Sequence, residues 1–396
     1  MNSNSSNEKV RYVAGCMTGT SIDGIDAALI EIKGNGLEMK TKVVKCLSDS
    51  LGGLSEPLRK IAKQNPMTAE QITKTARDFG ILHLELLRKL AGNHHIDLVS
   101  VHGQTVFHKP PLSWQLINPS PIAYGLGVPV VYDLRAADLA MGGEGAPITP
   151  LADYVMFRDD KETRYVVNLG GFCNVTILTP SRETGETNGF VPCETGEENG
   201  FVSSPPALRG GNQRGGREIS GKDLCVCNQL LDKISENLFH KRYDTGGFQA
   251  KNGSVQSESY EALLELLIVQ SNSKRSLGTG DEMEKWIQRH SSRHIGADIA
   301  RTACAAIAET IAKYCKPANR LLLAGGGVMN KTLTREIRKR FEIPVDLSDD
   351  YGVPSQFREA IAMAILGALC QDRTPITLPN VTGVKQTPVS GCWVMP

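Results

Sequence analysis

Two stretches of the chain share one plan: an apolar run, a glycine-bearing turn and a second apolar run. In the first, Tyr12-Val-Ala-Gly-Cys-Met17 passes through Thr18 to Gly24 into Ile25-Asp-Ala-Ala-Leu-Ile-Glu-Ile32. In the second, Tyr165-Val-Val-Asn-Leu169 passes through Gly170 and Gly171 toward Asn174-Val-Thr-Ile-Leu178. Glycine allows the tight turn and close backbone approach that such hairpins need. A chain that uses the device twice is expected to consist of two related halves. A third glycine cluster, Ala324-Gly-Gly-Gly-Val-Met-Asn330, follows an apolar run at Arg320 to Leu323 and precedes the amphipathic Thr332 to Phe341, which reads as strand, loop, helix.

Helical periodicity is expected at Ala69 to Leu90, Leu224 to Phe239, Ser257 to Ser271, Asp298 to Tyr314 and Gln356 to Leu369, with buried strands at Leu98 to His102 and Val128 to Asp133. The class is α/β. At 396 residues with 40% hydrophobic content the chain can build two cores. The expected layout is a disordered tail over residues 1–9, a first lobe over 10–134, and a second over 135–353, with a C-terminal segment from about 354 to 396 packing back on the first. Glu183 to Cys193 and Glu194 to Ser204 form a tandem repeat, and Pro205 to Gly216 adds further breakers, so 182–220 is expected to be a flexible insertion.

Charge and cysteine usage narrow the function classes. Forty-four Lys and Arg against forty-three Asp and Glu give a formal net charge of +1 without a long basic run, which argues against a nucleic-acid partner. The apolar runs are too short to span a membrane, and the polar first nine residues read as neither signal nor anchor. Ten cysteines without framework spacing imply reduced thiols and a cytoplasmic setting. Cys225 and Cys227, one residue apart, lack the spacing of a zinc knuckle.

The first turn holds the densest polar chemistry: Gly19, Thr20, Ser21, Ile22, Asp23, Gly24, Ile25 and Asp26. Backbone N–H groups and two hydroxyls at a hairpin tip can cradle phosphate oxygens, and Asp23 and Asp26 could hold Mg2+ through water. The same residues also serve in an ordinary turn, satisfying its own amides. A nucleotide gripped between two halves needs a phosphate loop from each and a glycine platform beneath its base. Asn168, Gly170 and Gly171 supply the second loop, and Gly325, Gly326, Gly327 and Asn330 the third. None follows the G-x-x-x-x-G-K-[ST] or G-x-G-x-x-G pattern, which sets aside Walker-type and Rossmann folds.

Taken in order, Met17-Thr-Gly-Thr-Ser-Ile-Asp-Gly-Ile-Asp26, His102-Gly-Gln-Thr-Val-Phe-His108, Asp133-Leu-Arg135, Gly142-Gly-Glu-Gly-Ala-Pro147, Asn168-Leu-Gly-Gly171, Ala324 to Asn330, Glu359 and Val381-Thr-Gly383 resemble the anhydro-N-acetylmuramic acid kinase family over nearly the whole chain. The resemblance implies a duplicated ribonuclease-H-like, actin-like ATPase fold of two domains with an interdomain cleft. It implies ATP-dependent phosphorylation of the anhydro-sugar's O6 with hydrolytic opening of the ring, Mg2+ as cofactor, and a homodimer.

In that family the catalytic Asp lies in a motif of the form Asp-Thr-Gly-Pro-Gly-Asn at the entry to a helix. The matching segment here is Gly221-Lys-Asp223-Leu-Cys-Val-Cys-Asn228, which keeps the Asp and Asn spacing but replaces the residues between. The resemblance makes Asp223 the catalytic base; an Asp at that point also suits a helix N-cap. By the same resemblance Thr105, Arg135 and Glu359 contact the sugar, Arg135 suiting its lactyl carboxylate through a two-pronged bond. His102 and His108 read as structural or supporting. Asp244, in Tyr243-Asp-Thr-Gly-Gly247, imitates the altered motif but falls after the helix, and Ser276 to Glu282 resembles a short loop near the family's cleft. Two rivals stand beside this reading: a kinase for another anhydro-sugar such as levoglucosan, and a descendant that binds nucleotide or sugar without chemistry.

Overall fold

The computed structural model describes residues 10–19, 21–180, 218–272, 282–316 and 318–396. In the first half, β1 (Val10–Met17), β2 (Gly24–Lys33) and β3 (Lys40–Ser50) form an antiparallel meander, and β4 (Leu98–Val101) lies parallel to β1. A separate hairpin, β5 (Gln104–Lys109) with β6 (Leu112–Leu116), precedes β7 (Val130–Tyr132), which extends the sheet parallel to β4. In the second half, β8 (Arg164–Leu169), β9 (Phe172–Leu178) and β10 (Ile219–Val226) make another antiparallel meander, with β11 (Arg320–Ala324) parallel to β8 and β12 (Val345–Leu347) parallel to β11. Both sheets therefore run three antiparallel strands followed by two parallel ones, the duplicated ribonuclease-H-like arrangement. The last strand, β13 (Cys392–Val394), pairs with β7 at the edge of the first sheet.

Among the helices, α1 (Ser55–Ala62) and α2 (Ala69–Ala91) belong to the first half; α2 starts on a capping box between Thr68 and Gln71. Helix α3 (Pro150–Phe157) leads into β8, and α4 (Asn228–Phe239), α5 (Gly296–Tyr314) and α6 (Lys331–Arg338) serve the second sheet. Helix α7 (Arg358–Gln371) is buried almost all round, as the apolar stretch from Ala360 to Cys370 requires. It lies against β1, where Gly15 makes room: a Cβ there would sit 2.1 Å from the Ala360 carbonyl oxygen. One apolar core joins β1, β2 and β7 to α3, α7, Val166 of β8 and Leu322 of β11, so the halves share an interior. The other faces carry cores of their own.

The expected helix from Leu224 is corrected. Leu224, Cys225 and Val226 finish β10, buried on both sides, and helix geometry starts only at Asn228. A short apolar run has no periodicity of its own, and here pairing with β9 decides its state. The end of the expected insertion, Ile219 and Ser220, also belongs to β10, while residues 181–217 lie outside the described residues. No helix among the described residues is long and apolar enough to cross a membrane.

Candidate active site

The second and third glycine loops meet at the ends of β8 and β11, and the first is tied to the opposite half through Asp23 and Arg242. In the first, between β1 and β2, Ile22 rather than a glycine takes the left-handed conformation, with φ 54°. Gly24 is required by contact instead, since a Cβ would stand 2.8 Å from the Asp49 carbonyl oxygen. Thr20 lies outside the described residues. Gly170 and Gly171 form the tight turn between β8 and β9, and their carbonyls receive the amides of Asn228 (3.0 Å) and Cys227 (2.9 Å). Asn228 returns a bond from Nδ2 to the Leu169 carbonyl at 3.0 Å, which stitches the start of α4 to the second loop. The third loop closes on the same point. Gly325 has φ +84°, a Cβ on it would lie 2.5 Å from Asn168 Oδ1, and one on Gly327 would lie 2.6 Å from Leu169 Cβ.

Asn330 and Asp23 are engaged otherwise than the sequence suggested. Asn330 Oδ1 caps α6, accepting from the amides of Thr332 (3.1 Å) and Leu333 (3.0 Å), so it fixes the loop. Asp23 spends one oxygen on Arg59 of α1 at 2.9 Å and the other on Arg242, beyond α4 in the opposite half. A metal ion there would have to displace two guanidinium groups. Asp26, the third residue of β2, accepts from the Ser48 hydroxyl, and burial pushes its pKa up.

A charged centre lies beneath these loops. Arg135 Nε donates to His102 Nε2 at 3.0 Å and Nη1 to the Gly145 carbonyl at 2.6 Å. Burial draws the Arg135 pKa down to about 10, and the charge of Asp223, then those of Glu359, Asp133 and Asp138, hold it up. It stays cationic at neutral pH. Glu359, in the first turn of α7, accepts from Asn168 Nδ2 at 3.2 Å; its pKa is pushed up by burial first and by the charge of Asp26 as well, against Arg358, Asn168 and Arg135. Asp26, Arg135, Asn168, Asp223 and Glu359 thus come together from five separate elements. Asp223 is half-buried on β10 opposite Asn174, beside the irregularity between Asp223 and Cys225. Its reading as a helix N-cap is overturned, because the residue before α4 is Cys227, with no side-chain cap bond.

Comparison with known proteins gives this arrangement its family. A profile described as Anhydro-N-acetylmuramic acid kinase matches residues 11–199 and 214–395. The chain belongs to the anhydro-N-acetylmuramic acid kinase family. Relatives named anhydro-N-acetylmuramic acid kinase from Bacillus thuringiensis (strain Al Hakam) and Bacillus cereus (strain 03BB102) are each 26% identical, covering 96% of this chain and 98% of theirs. Among solved structures, the activator of 2-hydroxyisocaproyl-CoA dehydratase from Clostridium difficile with bound ADPNP aligns with a TM-score of 0.41 and 12% identity over 90% of this chain and 94% of its own.

Several motifs shared with the kinase family have a visible physical purpose in this chain. Asp138, fully buried, accepts from the Gly145 amide at 2.8 Å and from the Thr382 hydroxyl at 2.8 Å, so it ties Gly142–Pro147 to Val381–Gly383. A Cβ on Gly143 would lie 2.2 Å from Asp138 Oδ2. Sequence reasoning passed over Asp138; its spacing of three from Arg135 on a short helix was the available signal. His102, read as supporting, proves to be the direct partner of Arg135. Thr105 on β5 receives Gln115 Nε2 at 3.4 Å. Asp244 accepts the amides of Gln249 and Ala250, both at 2.9 Å, and caps a turn. Of the loop Ser276 to Glu282, residues 276–281 lie outside the described residues.

Proposed function

We propose that this chain phosphorylates 1,6-anhydro-N-acetylmuramic acid at O6 with ATP while water opens the anhydro ring, giving N-acetylmuramic acid 6-phosphate and ADP. The observation that carries the reading is that the charges of Asp223 and Glu359 both act on the buried Arg135 guanidinium, with Glu359 held by Asn168 of the second loop at 3.2 Å. Asp223 takes a proton from water as the water oxygen bonds to the anomeric carbon. The bond from that carbon to O6 breaks, and O6 attacks the γ-phosphoryl group in line with the departing ADP oxygen. Arg135, with Nε and Nη1 already committed, offers its charge to the lactyl carboxylate; Glu359, its pKa raised by burial, and Thr105 orient the ring oxygens.

The triphosphate lies between the first and second loops. Beside the third loop, a groove of about 920 Å³ bounded by Val328, Met329, Arg335, Arg338 and Phe357 suits the nucleoside. Magnesium keeps several waters and needs few carboxylates, and Asp26, whose burial disfavours its bare charge, fits that role better than the doubly paired Asp23. Bound there, the ion would neutralise phosphate charge. The family resemblance further implies a homodimer working in the cytoplasm, the former checked by light scattering on the purified chain.

ADP release measured with and without the sugar tests the reading. The expected result is release that depends on the sugar, with a product heavier by one phosphoryl group and one water. Equal release in both conditions overturns it, ATP binding without any phosphorylated product favours a binding descendant, and faster turnover of levoglucosan reassigns the substrate.

A further inference from the structure

The β5–β6 hairpin carries a line of polar side chains that ends on an unanswered donor. Gln115 Nε2 donates to Ser113 Oγ at 2.9 Å and also reaches Thr105 Oγ1 at 3.4 Å. Ser113 stands opposite His108 in the strand register, and its Oγ lies 2.8 Å from His108 Nδ1. The Ser113 hydroxyl has one proton. It can go to His108 Nδ1 at 2.8 Å or to the Phe107 carbonyl at 3.4 Å, and the shorter contact takes it. Gln115 fills the accepting side of the same oxygen, so the chain of donors runs Gln115, Ser113, His108. Nδ1 then accepts, and the ring proton sits on Nε2.

His108 Nε2 is buried and has no hydrogen-bond partner among the described residues. Native structures leave few buried donors unmatched, and each exception asks for an explanation. The neighbourhood supplies one. Arg135 lies close enough that its charge, after burial, lowers the proton affinity of His108, whose pKa falls to about 4, so the ring is neutral and the tautomer argument holds at working pH. A neutral N–H beside a guanidinium is a paired donor set for a carboxylate.

We propose that His108 Nε2–H and the Arg135 guanidinium together hold the carboxylate of the substrate's lactyl ether, which makes His108 the residue that separates muramic from non-muramic anhydro-sugars. This rests on the substrate reading above and adds the residue that would enforce it. Ser113 and Gln115 act through His108 by fixing which nitrogen carries the proton.

The test is steady-state kinetics of the full chain at saturating ATP on two sugars, 1,6-anhydro-N-acetylmuramic acid and 1,6-anhydro-N-acetylglucosamine, which lacks the lactyl group. His108→Phe is expected to lower kcat/KM for the muramic sugar by about tenfold or more, chiefly through KM, while the second sugar and the KM for ATP stay unchanged. His108→Gln, which keeps a donor near the same place, should retain most of the preference. Ser113→Ala, at a part-buried position on the hairpin, should lose part of it and decides the matter if His108→Phe does not fold. An unchanged preference in His108→Phe, or equal losses on both sugars, overturns the assignment of His108 alone. A wild-type chain that phosphorylates neither sugar overturns the substrate reading and the assignment with it.

Discussion

His102 donates from Nδ1 to the Gly103 carbonyl and accepts at Nε2 from Arg135, at 2.9 and 3.0 Å. Burial, then the Arg135 charge, pushes its pKa down to about 3, against an unfolded value near 6.5. A histidine depressed in this way binds a proton in the unfolded chain before it does in the folded one. Its contribution to stability is present above about pH 6.5 and is lost as pH falls toward 3. Urea midpoints measured between pH 7 and pH 4 should therefore fall for the wild type and fall less steeply for His102→Gln. Part of the slope will remain, because buried His83 is shifted in the same direction, to about 4. At this scale the sequence exposed the charged residues but not their partners. Arg135 could be picked out by its motif, whereas its bonds to His102 and the Gly145 carbonyl depend on two turns that only the folded backbone brings together.

Close approach between elements is where glycine matters most in this chain. A methyl on Gly15 would meet the backbone of α7 at Ala360 and Ala364, at 2.1 and 2.4 Å, and neither atom belongs to a side chain that can turn away. Gly15→Ala is expected to cost about 3 kcal/mol or more, toward the upper end for overpacking, measured by urea unfolding; a loss below 1 kcal/mol contradicts this packing. The two hairpins were legible because apolar runs and glycine turns are local signals. β10 was not: Leu224 to Val226 are uniformly apolar, and their state is set by hydrogen bonds to β9, residues distant in sequence. β3 was missed for another reason. It is a Lys- and Ser-rich edge strand with no fully buried residue, ordered by pairing with β2 rather than by its own pattern. Asp223 was singled out through its spacing to Asn228, although the element carrying it was misread.

Across the whole molecule, Arg358 and Asp153 are the deepest link between the halves. Both are fully buried, joined from Nε to Oδ1 at 2.8 Å and again through Nη2, with Thr176 donating to Asp153 at 2.6 Å. Arg358 opens α7 immediately before Glu359, while Asp153 sits on α3, so the pair fixes the helix that presents Glu359. Arg358→Met should destabilise the fold by about 3–5 kcal/mol, since it strands a buried carboxylate. Adding Asp153→Leu should recover much of that loss in the same denaturation assay, and no recovery would argue against the pairing as the cause. The exposed Asp23 to Arg242 ion pair also joins the halves, but at the surface.

The proposed chemistry rests on one half-buried carboxylate, Asp223 on β10, whose charge acts on the Arg135 guanidinium. The most direct measurement is the sugar-dependent rate of ADP release by wild type and by Asp223→Asn, with ATP affinity followed in parallel by calorimetry. A fall in rate of at least about a hundredfold with ATP affinity unchanged is the expected result for loss of a general base. An Asp223→Asn chain that turns over within a few fold of wild type contradicts it.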